Sequence, residues 1–257
     1  MVRTCLFVPY FCLLLLLSLL LYLPYYLLYL LGGEKYANGF FYRSILILAR
    51  MLLWGAGARV EVTGLGNLPA DNRICFVSNH QSYADAALLV AYLPRRISFI
   101  AKRELKRIPV LGTHMRHLNC IFINQQSIRQ SAEAIQKGVE RIKQGQPMVI
   151  FPEGTRSKGG GMLRFLPGAF KLATRSNAIL VPLTIDGTYR LLEERGWVSS
   201  GRVRLIIHSP IRVSDLSPAE RNQLPERVRQ AIASALAENG SPGYRTGGLD
   251  HTQSGCS

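Results

Sequence analysis

The chain has 257 residues, of which 48% are hydrophobic and 18% are charged, and this balance excludes a disordered protein. Lys and Arg total 31 against 16 for Asp and Glu, so the formal net charge of +15 predicts an anionic partner: phospholipid, nucleic acid or a phosphorylated small molecule. The five cysteines are scattered and form no C-x-x-C pair, which excludes a disulfide scaffold and favours a reducing compartment for the main domain.

An uncharged apolar segment comes first in the chain. No charged residue lies between Arg3 and Glu34, and residues 6–31 are mostly Leu, Tyr and Phe. A helix of that length crosses a hydrocarbon core of about 30 Å, and Pro24 predicts a kink in it. The alternative is a cleaved secretory signal, but the apolar core is too long for one and no convincing A-x-A site follows. We therefore expect residues 1–35 to be a retained transmembrane anchor.

Positive charge sets the expected orientation of this anchor. Only Arg3 precedes the apolar segment, whereas four basic residues follow it closely: Lys35, Arg43, Arg50 and Arg59. The positive-inside rule therefore predicts a membrane protein whose main domain lies on the cytoplasmic side.

Residues 36–57 form a second, less apolar segment. Arg43 and Arg50 are seven residues apart, so they share one helical face. Two interpretations are compatible: an interfacial membrane helix with its arginines toward lipid phosphates, and a helix packed on the main domain with one wet edge. A second membrane span is less favoured, because the run contains two arginines and is shorter than about 20 residues.

Between residues 58 and 240, apolar runs of strand length alternate with helical patterns, which predicts an α/β sheet with flanking helices. The expected strands are residues 60–63, 74–78, 97–101, 120–123, 148–151, 179–185 and 203–207. The expected helices are residues 83–93, 128–143 and 169–176, and a capping box at Ser217-Pro218-Ala219-Glu220 begins a last helix that ends near Glu238. Residues 241–257 are expected to form a flexible tail.

Two polar loops follow expected strands, where function commonly lies in such sheets. The first loop runs from Asn79 to Asp85. Asp85, one turn into the next helix, is able to orient His80 and stabilise its imidazolium, so that the other ring nitrogen acts as a general base. The alternative is an ordinary loop histidine with Asp85 as a helix-start residue. No G-x-S-x-G surrounds Ser82, so the pattern favours direct attack by a substrate hydroxyl over a serine nucleophile.

The second loop runs from Phe151 to Ser157. Glu153 precedes Gly154, which permits a tight turn and a close approach of substrate. Thr155 and Arg156 are able to donate hydrogen bonds to phosphate oxygens. The alternative interpretation is a turn with a surface ion pair.

Two further clusters bear on metals and partners. His114 and His117 have i, i+3 spacing but no matching carboxylate pattern, so no metal site is expected. A basic run between Arg95 and Arg107 indicates attraction to phospholipid headgroups or simply a solvated face. Nucleic acid is not an expected partner, because the soluble part has no interleaved aromatic and basic motif.

Together, the two loops resemble the signature of the lysophosphatidate acyltransferase family (1-acyl-sn-glycerol-3-phosphate O-acyltransferases), which is N-H-x-x-x-x-D followed further along by F-P-E-G-T-R-S. Both halves are intact here, at Asn79-His80 with Asp85 and at Phe151 to Ser157. Weaker blocks at residues 120–123 and 181–185 also align. The likeness covers about residues 60–207, behind an N-terminal membrane-binding portion that is also typical of the family.

The resemblance implies a role for each matching residue. His80 would deprotonate the acceptor hydroxyl, Asp85 would orient His80, and the hydroxyl would attack the thioester of acyl-CoA or acyl-carrier protein. The acceptor and its phosphate would be bound by five residues of the two loops: Asn79, Glu153, Gly154, Thr155 and Arg156. The resemblance implies no metal and no redox cofactor.

This chain departs from the family pattern at Asn124-Gln125. The family usually has Asp-Arg there, with the arginine assigned to the acceptor phosphate, and a neutral amide at Gln125 cannot replace a guanidinium. A basic residue often found after the second loop is here Leu166. Candidates to supply the missing charge are Lys171, Arg164 and Arg129. The alternative is a different acceptor, another lysolipid such as a lyso-ornithine lipid.

We therefore predict a membrane-anchored O-acyltransferase that makes phosphatidate from lysophosphatidate, with a lysophospholipid acceptor and membrane lipid as its partners. The contrasting hypothesis is a non-catalytic membrane protein that uses its charge to bind anionic lipid.

Overall fold

The computed structural model describes residues 1–124 and 127–241 of the chain. Within these residues the strands are β1 (Ala58–Thr63), β2 (Ile74–Ser78), β3 (Ser98–Lys102), β4 (Ile121–Ile123), β5 (Met148–Ile150), β6 (Ile179–Asp186), β7 (Gly201–Ile207) and β8 (Ile211–Arg212). The helices are α1 (Val2–Ser18), α2 (Tyr22–Gly32), α3 (Glu34–Ala56), α4 (Ala84–Tyr92), α5 (Leu111–His117), α6 (Ile128–Lys143), α7 (Lys171–Ser176) and α8 (Pro218–Glu238). The tail expected at residues 241–257 lies, after Ser241, outside the described residues, and so does Gln125.

The strands form one mixed sheet in the order β1-β7-β6-β2-β5-β3-β4, and β8 pairs with the start of β6. The strands β6, β2, β5, β3 and β4 run parallel to one another. Strand β7 is antiparallel to β6, and β1 is parallel to β7. The carboxyl ends of β2, β5 and β6 therefore meet at one edge, which we call the carboxyl edge, and β1 and β7 begin at that edge.

Helices cover both faces of the sheet, as the α/β expectation required. Phe76 of β2 faces a core that includes Phe41 of α3 and Leu88 of α4. Its neighbours in β2 face a second core that includes Leu172 of α7 and Val228 of α8. Every residue of β2 is consequently buried, which explains why its sequence is an unbroken apolar run. The capping box of α8 is present, with Ser217 and Glu220 bonding each other's backbone.

The N-terminal apolar segment is bent rather than straight. α1 and α2 are separated by a 3-10 turn at Leu19–Leu21, which lies just before Pro24. Pro24 has no N–H to give to the carbonyl one turn earlier, and its ring crowds that carbonyl, so the regular helix is interrupted there. Val2–Gly32 and Glu34–Ala56 are both long and apolar enough to cross a membrane by length and composition.

Helix α3 packs against the main domain along one face. Five of its six buried residues recur every fourth position: Ala37, Phe41, Ile45, Ala49 and Leu53. Arg50 donates from Nε to the carbonyl of Ala91 at 3.1 Å and lies over the ring of Tyr92. Arg43 is exposed. The packed-helix interpretation therefore describes α3, and contact between Arg43 and lipid stays a prediction.

Hydrogen bonds of His114 join the N-terminal helices to the main domain. Its Nε2 lies 2.7 Å from Ser18 Oγ and its Nδ1 lies 2.9 Å from the hydroxyl of Tyr22, so α5 is joined to the junction of α1 and α2. Burial lowers the pKa of His114 to about 4, and His117 beside it lowers the pKa further. The imidazole is therefore neutral near pH 7 and serves as a structural link.

Candidate active site

His80 and Asp85 form a hydrogen-bonded pair at the carboxyl edge. His80 follows β2 directly, and Asp85 lies in the first turn of α4. Nδ1 of His80 lies 2.7 Å from Oδ2 of Asp85. An ionised carboxylate only accepts hydrogen bonds, so we assign the proton to Nδ1, and Nε2 on the opposite side of the ring carries a lone pair. The Asp85 side chain is fully buried, whereas that of His80 is 21% exposed and accessible to a substrate.

Phe151 covers one face of the imidazole. The two ring centroids are 4.1 Å apart, and the rings are inclined by 18°. Phe151 follows β5, which is the neighbour of β2 in the sheet, so strand pairing brings the two rings together. Stacking against one face of the ring and the bond from its edge to Asp85 together fix the plane of the His80 imidazole.

Glu153 joins the second loop to the first. Its Oε1 accepts the backbone N–H of His80 at 2.7 Å, and its Oε2 accepts the N–H of Leu163 at 2.9 Å. Burial raises the pKa of Glu153 to about 7, although the two backbone donors act in the opposite direction. The N–H of Ser157 donates to the carbonyl of His80 at 2.8 Å, so both backbone groups of the base are held by the second loop.

Arg156 is held at the rim of the site. Its Nη1 donates to Oε1 of Glu193 at 3.1 Å, and its guanidinium lies 3.3 Å from the ring centroid of Tyr83. Glu193 also accepts hydrogen bonds from the hydroxyl of Ser82 and the N–H of Tyr83. The preceding turn needs Gly154, whose φ of 69° is left-handed. Thr155 between them is exposed.

Asn79 is buried with both ends of its amide engaged. Nδ2 donates to the carbonyl of Ile185 at 2.8 Å, and Oδ1 accepts the N–H of the same residue at 2.8 Å. The last backbone pair of β2 and β6 is Ser78 with Leu183. Asn79 thus extends the pairing of the two strands by a side chain and fixes where the first loop leaves the sheet.

The remaining candidates lie outside the hydrogen-bonded cluster around His80. Lys171 is exposed at the start of α7, in the helix layer opposite α3 and α4. Arg164 is also exposed. Arg129 is 90% exposed and pairs with Glu133 at 3.0 Å. Gln125 lies outside the described residues.

Sequence reasoning did not single out Thr188 and Glu193. Thr188 donates to Oδ1 of Asp85 at 2.5 Å, and Glu193 binds three groups of the two loops. Both residues follow β6, as the two loops follow β2 and β5. Their position in the sequence could have indicated them, because polar residues beyond the carboxyl end of a third parallel strand reach the same edge of the sheet.

The comparisons with known proteins agree with this fold. A family model described as Acyltransferase matches residues 59–186. The crystal structure of the 1-acyl-sn-glycerophosphate acyltransferase of Thermotoga maritima superposes with a TM-score of 0.72 at 28% identity, covering 88% of this chain and 97% of that one. The fold is therefore that of a glycerolipid acyltransferase.

Two curated relatives narrow the family. A chloroplast 1-acyl-sn-glycerol-3-phosphate acyltransferase of Brassica napus is 34% identical over 66% of this chain and 51% of its own length. The 1-acyl-sn-glycerol-3-phosphate acyltransferase of Borreliella burgdorferi is 30% identical over 73% of this chain and 75% of its own length. The chain belongs to the 1-acyl-sn-glycerol-3-phosphate acyltransferase family, which confirms the resemblance of the two loops. It spans about half the length of the chloroplast relatives.

Proposed function

We propose that the protein transfers a fatty acyl group from acyl-CoA or acyl-carrier protein to the sn-2 hydroxyl of lysophosphatidate. The products are phosphatidate and the thiol of the donor. The observation that carries the proposal is the pair of His80 and Asp85, in which a buried carboxylate holds Nδ1 and leaves Nε2 directed away from it. The names of the relatives support lysophosphatidate as the acceptor.

The reaction follows from this pair without a protein nucleophile. Nε2 of His80 takes the proton of the acceptor hydroxyl while the oxygen attacks the thioester carbonyl. The Asp85 carboxylate stabilises the imidazolium that forms. When the tetrahedral intermediate collapses, the C–S bond breaks and His80 returns the proton to the departing thiolate. His80 ends the cycle neutral, and no acyl-enzyme is formed.

Arg156 is the residue that we propose for the acceptor phosphate. A guanidinium has five N–H donors, and the bond to Glu193 uses one of them. Stacking on Tyr83 and the bond to Glu193 set its orientation before a ligand arrives. We propose that the exposed Thr155 adds a hydroxyl donor beside it.

Asn79, Glu153 and Gly154 have a different proposed role. The polar atoms of Asn79 and Glu153 are buried and engaged with backbone groups, and Gly154 provides a left-handed turn. We propose that they support acceptor binding indirectly, by holding the two loops in register around His80.

We propose that α1 and α2 hold the protein at the membrane that contains its acceptor, with the main domain on the cytoplasmic side. Several leucines of this segment are largely exposed, among them Leu16 and Leu30. The start of α1 also reaches the carboxyl edge, since the hydroxyl of Thr4 accepts the N–H of Val198 near the start of β7. The anchor and the base therefore lie toward the same edge of the sheet.

The test uses full-length protein in detergent, a thioester donor and lysophosphatidate. We expect release of thiol that depends on the acceptor, together with phosphatidate identified by mass spectrometry. Acyl-CoA and acyl-carrier protein are compared as donors. The proposal fails if neither donor yields phosphatidate, or if thiol is released by hydrolysis alone.

A second acceptor is favoured by one observation, the neutral Gln125 where the family usually has an arginine. A panel that includes a phosphate-free lysolipid such as a lyso-ornithine lipid separates the two cases. If lysophosphatidate is the acceptor, Gln125→Arg adds a charged hydrogen bond and lowers its KM by about tenfold. If the acceptor lacks a terminal phosphate, the same change weakens use of that acceptor instead.

A further inference from the structure

Four hydrogen bonds hold the carboxylate of Asp85 although it is fully buried. Three of them meet at Oδ2: the bond from His80 Nδ1 and those from the backbone N–H groups of Gln81 and Ser82. The fourth reaches Oδ1, where the hydroxyl of Thr188 donates at 2.5 Å. That hydroxyl also lies 3.4 Å from Oε1 of Gln81, and the shorter distance assigns its single proton to Asp85.

Thr188 lies in the turn after β6, and hydrogen bonds to this turn fix its position. Gly187 has a left-handed φ of 91°, and its N–H donates to Oε1 of Gln81 at 2.9 Å. Two residues earlier, the backbone of Ile185 exchanges two hydrogen bonds with Asn79. Thr188 is itself fully buried, so water does not compete for its hydroxyl. The first loop therefore hydrogen-bonds to this segment at two points, and these bonds fix the position of Thr188 beside Asp85.

The bond to Oδ1 matters because the other three donors act on a single oxygen. Without Thr188, Oδ1 becomes a buried acceptor with no donor among the residues that the structure describes, which is an unfavourable state. The carboxylate relieves it by rotating about χ2, a torsion with a broad minimum. Such a rotation moves Oδ2 out of line with Nδ1 of His80.

We propose that Thr188 is a positioning residue of the catalytic pair. It acts through Asp85 and satisfies the second carboxylate oxygen, so that the first stays aligned with His80. The kinetic test of this role rests on the proposed acyl transfer, whereas the hydrogen bond itself exists whatever the acceptor.

The kinetic experiment compares full-length variants in detergent. Thr188→Val removes the hydroxyl and keeps the shape, and Thr188→Ala is a second hydroxyl-free variant. Thr188→Ser keeps the hydroxyl. Thr184→Val is the matched control, because it removes another buried threonine hydroxyl, which lies in β6 just before the turn of Thr188 and 2.7 Å from His208 Nε2. We expect the two hydroxyl-free Thr188 variants to lose kcat roughly tenfold to a hundredfold while KM changes by less than about twofold. Thr188→Ser and Thr184→Val keep kcat near the wild-type value.

A spectroscopic signal tests the same bond without turnover. The Nδ1 proton of His80 is observed in ¹⁵N-histidine-labelled protein and assigned by its absence in His80→Ala. We expect it at the wild-type position in Thr188→Ser and Thr184→Val, and shifted or lost in Thr188→Val and Thr188→Ala.

An unchanged resonance with wild-type kcat in Thr188→Val overturns the proposal. Equal losses in Thr188→Ser and Thr188→Val also overturn it, because the methyl group would then be responsible. If the wild type acylates no acceptor, the proposed function fails while this signal still tests Thr188.

Discussion

His80 is the residue on which the proposed turnover depends most directly. His80→Ala removes the base, so we expect kcat to fall by roughly 10²–10⁴-fold with KM largely kept. Asp85→Asn is also expected to be severe, because an amide oxygen carries no full charge to stabilise the imidazolium. Thiol release with lysophosphatidate as acceptor is the measurement.

The control for His80 is another histidine near the end of a strand. His208 lies 2.7 Å from Thr184 and takes no part in the proposed chemistry. His208→Ala should keep kcat close to the wild-type value. A His80→Ala protein with near wild-type turnover would show that the base has been assigned to the wrong residue.

Glu153 should make stability depend on pH. Burial raises its pKa from the ordinary 4.5 to about 7, so between these values the folded state binds a proton that the unfolded state releases. The free energy of unfolding that Glu153 contributes therefore falls as pH rises from about 4.5 to about 7. Thermal unfolding of wild type and Glu153→Gln across this range measures this contribution, which the variant should lack.

The matched control for this prediction is Glu133→Gln. Glu133 is about half exposed on α6 and pairs with Arg129. Its replacement should leave the pH dependence of unfolding like that of the wild type. A parallel pH dependence for wild type and Glu153→Gln would contradict the raised pKa.

At the scale of single residues, the sequence allows the local part of the site to be predicted. His80 and Asp85 are five residues apart, so a strand end and one helical turn suffice to pair them. Thr188 and Glu193 are bonded to the first loop across 103 and 111 residues, respectively. Such contacts depend on which strands are neighbours, and spacing along the chain does not encode that.

At the scale of elements, the apolar runs predicted seven strands, and each is present in the described residues. β8 was missed because it has only two residues. The apolar runs did not predict that β1 and β7 run antiparallel to the central strands. β1 and β7 alternate between more buried and more exposed residues, and such an alternation is the same in either direction, so the direction of each strand is decided by its connections.

The link between α5 and the N-terminal helices should weaken in acid. Burial lowers the pKa of His114 to about 4 against an ordinary value of 6.5. The stability that neutral His114 contributes is therefore present above about pH 6.5 and is lost as pH falls toward about 4. His114→Phe removes both the titration and the bonds to Ser18 and Tyr22.

Thermal unfolding from pH 7 to pH 4 measures this effect. We expect the wild type to lose more stability over that range than His114→Phe, which starts from a lower melting temperature at pH 7. Equal losses in the two proteins would mean that folding does not lower the pKa of His114.

At the scale of the whole molecule, the exposed apolar surface of the N-terminal helices should decide membrane retention. Leu16 and Leu20 are 62% and 68% exposed, so replacing both by Lys removes little packing within the protein. We expect the double variant to leave washed membranes more readily than the wild type, because charge in hydrocarbon costs about 2.5–3.5 kcal/mol per residue on insertion scales.

Leu65→Lys is the control for membrane retention. Leu65 is 49% exposed on the main domain, after β1. Its replacement should leave the protein in the membrane fraction. If the double variant is retained as well as the wild type and Leu65→Lys, these helices do not hold the protein in the bilayer.

Because Asp85 is bonded to Thr188, the proposed catalytic pair is fully supported only after the ribosome has made Thr188. The ribosome makes α1 and α2 before Asp85, and the hydroxyl that donates to the Asp85 carboxylate is made 103 residues after Asp85. At roughly 5–20 residues per second, that interval lasts about 5–20 s. Throughout it, the nascent chain has its apolar helices available to lipid while its base is still incompletely supported. On the proposed function, a newly made molecule therefore has the helices that we propose for the membrane before its proposed catalytic pair is complete.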